Sequence, residues 1–187
     1  MTPAQEIIKK ADDHMKKTID TVRTELAHIR TGKATTALLD GIRVDYHGTP
    51  TPLAKLAQVA APEVRLLTIQ PWEKSMVQAI EKAIMKSDLG LTPQSDGMLI
   101  RLPIPALTEE RRREFAKLCK KHAEEGKVAI RNIRRDGVDH LKKAEKAGTL
   151  TQDDNKRGDK ELQNLTDKAV AELDRVLAAK EKEVMEV

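Results

Sequence analysis

The sequence predicts a mostly helical protein: an antiparallel three-helix bundle that carries a small α/β insertion. Three observations predict it. The stretch from Leu107 to Gly148 contains no proline, so nothing obliges a helix begun there to stop earlier. Apolar residues recur near both ends of the chain at the spacing of a bundle seam. Between Thr31 and Ala106 the texture changes, because seven of the eight prolines and five of the nine glycines fall there, which excludes long helices over most of that window. A charged fraction of 34% with one Trp, one Tyr and one Phe in 187 residues also suits long helices better than a thick core.

The first helix starts at Thr2-Pro3-Ala4-Gln5, which has the form of a capping box with proline at the first helical position. Ile8, Met15, Val22 and Ile29 then recur every seven residues, with Ala11, Ile19 and Leu26 in the neighbouring rows, and Thr31-Gly32 is expected to end the helix. In the insertion, Ile42 to Tyr46 alternates as a half-buried strand and Gly48-Thr49-Pro50-Thr51-Pro52 breaks it. Leu56 to Ala60, Val64 to Ile69 and Met98 to Leu102 read as further strands. Between them Trp72-Glu73-Lys74-Ser75 opens one helix with an apolar row at Met76, Ile80 and Ile84. Pro103-Ile104-Pro105 forces an extended connection. Thr108 caps the long helix, with Glu109 and Glu110 in its first turn, where the helix dipole favours negative charge. Gly148 supplies its C-terminal cap, and Thr151-Gln152-Asp153-Asp154 caps a third helix with seam residues Leu162, Leu165, Ala169, Leu173, Val176 and Val184. Two long helices joined by so short a turn are antiparallel neighbours.

These elements place residues 1–30 and 106–187 in a discontinuous bundle domain and residues 31–105 in the α/β domain. The chain crosses between them twice, at Arg30-Thr31-Gly32 and at Ile104-Pro105-Ala106, and such a double linker reads as a hinge.

The formal charge of +4 is modest, but residues 107–150 carry a net +5 and residues 151–187 a net −3. On a helical wheel centred on Ile130, the residues Gly126, Ile133, Gly137 and Leu141 lie within about 60° and form the buried face. Arg134, Lys127, Lys120, Arg131 and Arg135 follow at about 40°, 60°, 80°, 100° and 140°, on one flank of that face. Such a row can be an ordinary solvated surface. The arginines of Arg131-Asn132-Ile133-Arg134-Arg135 favour phosphate, because a planar fork makes two parallel hydrogen bonds where lysine presents a point charge. With no aromatic platform nearby, a structured phosphate backbone read by shape is the expected ligand rather than stacked bases.

Other chemistry finds little to stand on. The five histidines form no helical metal-binding pair, and no nucleophile elbow, phosphate loop or dinucleotide fingerprint is present, so neither an enzyme nor a metal or cofactor site is expected. His122 and His140 are expected at the core or its boundary, and Cys119 as a packing residue. Gly126 and Gly137 in mid-helix imply close helix approach. One cysteine allows no internal disulfide. No secretory signal and no 18-residue apolar run is visible, so a soluble, cytoplasmic monomer is expected.

Several segments in order, Arg30-Thr31-Gly32-Lys33-Ala34, Leu38-Leu39-Asp40-Gly41-Ile42, Gly48-Thr49-Pro50-Thr51-Pro52-Leu53, Ser87-Asp88-Leu89-Gly90-Leu91, Leu107 to Arg112 and Val128 to Asp136, resemble the bacterial ribosome recycling factor family over the whole length. The resemblance implies an L-shaped molecule. It also implies a function: with elongation factor G and GTP, to split the post-termination ribosome, the bundle touching large-subunit rRNA while the hinged domain moves. The family's rRNA-contacting arginines match Arg131 and Arg134, and Arg112 matches another near the hinge end. GTP is implied as the elongation factor's nucleotide, not a cofactor of this chain. Lys33, Thr35-Thr36 and His47 depart from the family pattern near the hinge loop and in the insertion. The competing expectation is a coiled-coil-like protein–protein adaptor whose basic face is only a solvated surface.

Overall fold

The computed structural model describes residues 1–186. The chain divides into two compact units, one formed by Met1–Leu26 with Ala116–Glu183, the other by residues 27–115 with the last residues from Val184.

The first unit is built from most of three long helices, α1 (Pro3–Ala27), α4 (Glu109–Lys146) and α5 (Gln152–Met185), the first turns of α4 to Phe115 belonging to the second unit. Each begins at a side-chain cap that the sequence specifies. Thr2 N–H donates to Gln5 Oε1 at 2.9 Å while Gln5 N–H donates to Thr2 Oγ1 at 3.3 Å, a reciprocal capping box. Thr108 Oγ1 accepts from Arg111 N–H at 3.2 Å. At α5, Thr151 Oγ1 accepts from Asp154 N–H at 3.1 Å, and Asp154 Oδ2 accepts from the Thr151 hydroxyl at 2.6 Å. The hydroxyl's hydrogen bond, followed by that from Thr151 N–H to Asp154 Oδ2 at 3.3 Å, holds the Asp154 carboxyl below its ordinary value.

The end of α4 is equally well specified. Gly148 takes φ +74°, Gly148 N–H donates to Glu145 O at 2.9 Å, and Thr149 N–H donates to Ala144 O at 3.0 Å. This pair of bonds is the Schellman arrangement, which needs a residue without a Cβ penalty at the left-handed position. The first helix behaves differently from expectation. It stops at Ala27, five residues before Gly32, whose positive φ serves the segment that follows and brings its backbone against Leu107.

Packing within this unit fixes the helix directions. Ala11 of α1 clusters with Leu141 and Leu162, whereas Val22, further along α1, approaches Gly126 together with Leu173. As α1 rises from 11 to 22, α4 falls from 141 to 126 and α5 rises from 162 to 173, so both flanking helices run antiparallel to α4. A Cβ added at Gly126 would lie 2.6 Å from Val22 Cγ2, and one at Gly137 would lie 2.9 Å from Leu162 Cδ1. Gly158, which the seam pattern did not single out, repeats the device against Leu141 Cδ1 at 2.8 Å. The absence of side chains at these points lets neighbouring helices close onto buried Leu141, Leu162 and Leu173, each worth about 1.5–3 kcal/mol of hydrophobic burial. Cys119 is fully buried, and burial pushes its thiol up. His122 lies at the boundary with Nδ1 3.0 Å from Glu25 Oε2, but His140, expected there too, is exposed.

The second unit holds a hairpin, β1 (Arg43–Tyr46) with β2 (Thr49–Pro52), and a four-stranded sheet in the order β3 (Ala57–Glu63), β4 (Leu66–Pro71), β6 (Leu99–Pro103), β5 (Gln94–Asp96). All the strand pairings are antiparallel. Two short helices complete it, α2 (Leu53–Leu56) and α3 (Val77–Lys86), the latter preceded by a 3₁₀ turn over Lys74–Met76. Leu67 pairs with Leu102 and Ile69 with Ile100 on the inner face, where they meet Ile80 and Ile84 of α3 and Val44 of β1 in one core.

Several strand expectations need correction. Thr49–Pro52 does not end the strand pairing but forms its second arm, because the outer edge of a two-stranded hairpin asks nothing of the missing proline N–H groups. His47 and Gly48 turn the hairpin with φ of 50° and 84°, and Asp45 Oδ1 accepts from Gly48 N–H at 2.7 Å. Leu56 closes the short helix Leu53–Leu56, so the strand expected at Leu56 to Ala60 begins one residue later, at Ala57. Val64 belongs to the turn before β4. The polar strand β5 carries no apolar alternation and was not anticipated; it pairs through its backbone with β6.

Candidate nucleic-acid interface

The basic flank of α4 follows directly from the helix period, since the glycine and aliphatic face is buried and the next arc turns outward. Arg131 and Arg135 are exposed, and among the described residues neither makes an ion pair. Arg131 and Arg134 line a cleft of about 460 Å³ whose opposite wall is α5, through Gln163, Thr166, Asp167, Val170, Ala171 and Asp174. Arg134 is one-third exposed; its Nη2 lies 3.8 Å from Asp159 Oδ1, and its Nε is buried with no hydrogen-bond partner.

Lys127 is placed differently from its neighbours. Its Nζ sits 2.6 Å from Asp174 Oδ1 and 3.0 Å from Glu124 Oε1, and its side chain is only 13% exposed. The hydrogen bonds from Asp174 and then Glu124 raise its affinity for the proton, so it stays charged, but that charge is already matched. Lys120 is similarly drawn to Glu181 at 3.6 Å. The flank therefore contains two unmatched guanidiniums, one loosely matched, and lysines committed to α5.

Arg112 lies in the second unit, half-buried, with its Nε unpartnered. The hinge candidates fall in that unit as well. Arg30 Nη1 donates to Leu89 O at 3.4 Å, and burial, followed by the charge of Arg111, makes its protonated form less favourable than usual. Thr31 is buried, Gly32 packs against Leu107, and Ile104 N–H donates to Arg65 O at 2.8 Å. Pro105 and Ala106 are exposed.

Sequence reasoning missed the acidic side of the cleft. Asp167 and Asp174 line it, and Asp159, beside Arg134, shares their arc of about 80° on α5. The signal that points to them is the net −3 of residues 151–187 set antiparallel to the net +5 of residues 107–150. Among the described residues no group of three His, Cys, Asp or Glu could hold a metal ion. No described helix is long and apolar enough to cross a membrane.

Residues 22–185 match the protein family described as ribosome recycling factor. The chain belongs to that family. Ribosome recycling factors are translation factors rather than enzymes. The ribosome-recycling factor of Desulforamulus reducens is 56% identical over 183 residues, covering 98% of this chain and 99% of that one. That of Bacillus cereus (strain AH187) is 51% identical over the same length. Among solved structures, a ribosome recycling factor in solution superposes with a TM-score of 0.81 at 40% identity, with each chain covered completely. A second, at 0.68 and 42%, is a model of the T. thermophilus ribosome recycling factor with E. coli elongation factor G bound to the E. coli post-termination complex.

Proposed function

We propose that this chain disassembles the post-termination ribosomal complex together with elongation factor G and GTP, the nucleotide being consumed by the elongation factor. In this reading the helical bundle binds large-subunit rRNA through Arg131, Arg134 and Arg135, with Arg112 as a further contact from the second unit. Lys127 contributes less than its position on the wheel implies, because Asp174 and Glu124 already neutralise it. The observation that carries the reading is the pair of exposed arginines, Arg131 and Arg135, without a carboxylate partner among the described residues, on a flank whose two lysines, Lys120 and Lys127, each have one nearby. Family membership supplies the ribosome as the anionic target, and the relative seen with elongation factor G supplies the partner.

Replacing Arg131 and Arg134 together by Ala lowers large-subunit affinity about a hundredfold or more, taking about 1.5 kcal/mol or more for each lost hydrogen bond to a charged group. Helicity stays at the parental level. Co-sedimentation across a salt series checks this, and a double variant that pellets as well as the parent would overturn the assignment. The bundle domain in this reading is residues 1–30 with 106–187, and residues 31–105 move about Arg30-Thr31-Gly32 and Ile104-Pro105-Ala106. Crosslinking the two domains across those segments preserves subunit binding and stops subunit splitting; unchanged splitting rules the moving domain out.

A further inference from the structure

Arg134 and Asp159 make an unusual pair. At 3.8 Å the guanidinium Nη2 and the carboxylate Oδ1 attract each other but are too far apart for a hydrogen bond. Both groups also have an unfilled valence: Arg134 Nε and Asp159 Oδ1 are each buried without a hydrogen-bond partner among the described residues. Buried polar atoms are ordinarily satisfied, because leaving one bare forfeits its bonds to water. The neighbouring contact shows what a closed pair looks like here, with Lys127 Nζ at 2.6 Å from Asp174. The α4–α5 wall thus contains one closed cation–carboxylate pair, Lys127–Asp174, and two open ones, Lys120–Glu181 at 3.6 Å and, two helical turns from the closed pair, Arg134–Asp159, of which only the second involves an arginine of the flank.

A phosphate oxygen offers Arg134 what Asp159 does not, a short charge-assisted bond to a planar fork. Asp159 meanwhile sets a negative charge beside the approaching phosphate. Its effect on the free protein and on the complex is therefore opposite in sign. It draws Arg134 toward α5 when no ligand is present, and it repels the ligand when one arrives.

We propose that Asp159 is an intramolecular stand-in for phosphate at Arg134, a positioning residue that attenuates the affinity of the arginine flank for rRNA. This rests on the proposed role of that flank. A factor that must leave the ribosome after each cycle gains from a weakened grip, since affinity differences within one interface are expressed mainly in the dissociation rate. Side chains one-third and one-half exposed interact weakly, so the attenuation is modest, about two- to fivefold in affinity.

The test is a double-mutant cycle on the intact chain with purified large subunits. Asp159→Asn keeps the shape and removes the charge. Binding by Asp159→Asn is expected to be about two- to fivefold tighter, with slower dissociation and a steeper dependence on salt, because Arg134 then counts as an unmatched cation. In an Arg134→Ala background the same change is expected to have a clearly smaller effect, because only the direct repulsion of phosphate by Asp159 is then left to remove. Weaker binding by Asp159→Asn, or an effect of equal size with and without Arg134, would overturn the proposal, and so would unchanged binding in a variant whose circular dichroism is native. Failure of the underlying reading looks different: there Arg134→Ala alone leaves subunit binding unaltered.

Discussion

The two compact units solve the same problem by different means. The sheet unit has an ordinary globular core, a cluster of aliphatic side chains from β1, β3, β4, β6, α2 and α3 around Leu67, Ile69, Ile80, Ile84, Ile100 and Leu102, these six all fully buried. The helical unit has a narrow seam between three rods, and there it removes side chains, at Gly126, Gly137 and Gly158, so that α4 and α5 can each receive a Val or Leu from a neighbouring helix. One unit is stabilised by the volume it fills and the other by the closeness of its backbones. The difference teaches where each is vulnerable: the sheet unit to cavities, the helical unit to added atoms.

The largest expected effect tests the first half of that contrast. Ile100→Ala removes a fully buried side chain and costs about 2–5 kcal/mol. Hydrogen exchange resolved by peptide should accelerate across residues 57–103 and stay unchanged in α5 between Leu162 and Leu173. If both units loosen together, they are not separate cooperative bodies and the contrast fails.

Gly126→Ala tests the second half. The change gains about 1 kcal/mol of helix propensity, but its Cβ meets Val22 Cγ2 at 2.6 Å, and a β-branched side chain on a helix cannot swing aside. Overpacking of this kind costs about 1–3 kcal/mol, toward the upper end for a rigid neighbour, leaving a net loss of up to about 2 kcal/mol in urea unfolding followed by helical ellipticity. Gly137→Ala and Gly158→Ala meet only the terminal methyls of Leu162 and Leu141, which can rotate, so both should lose less. An unaltered midpoint for Gly126→Ala would mean that the helices can separate freely.

The smallest effect concerns the start of α5. Thr151→Ala removes the hydroxyl that caps the helix and costs about 1 kcal/mol. The linked carboxyl gives a pH signature. Because the folded value of Asp154 is depressed, its contribution is fully present above the ordinary carboxylate value of 3.8 and is lost as pH falls through the lower folded value. Acid titration of stability should therefore show a decline below about pH 4 that is reduced in Thr151→Ala.

Legibility in the sequence followed the same division. In the helical unit, Thr2, Thr108, Thr151 and Gly148 announce their caps, and the period of 3.6 identified both the buried face of α4 and the arginine flank. What it could not announce was the partner side of that flank, because Asp174 and Asp159 act on Lys127 and Arg134 only after α5 has folded back. In the sheet unit, the inner residues of β4 and β6 alternate and were readable. The strands β2 and β5 were not, since one is half proline and the other wholly polar, and both are specified by the neighbour they pair with. The end of α1 was misjudged for a related reason: Ile29 continues the apolar register, but it is buried beyond the helix rather than on it.

The contact between Gly126 and Val22 also constrains how this protein can change over generations. A methyl at position 126 and the branched side chain at position 22 compete for the same space, so Val22→Ala should restore part of what Gly126→Ala removes, the contact with Leu173 Cδ1 at 3.2 Å remaining. Two positions remote in the chain are thereby bound to vary as a pair, and a lineage can cross from one solution to the other only by tolerating a cavity or a clash on the way.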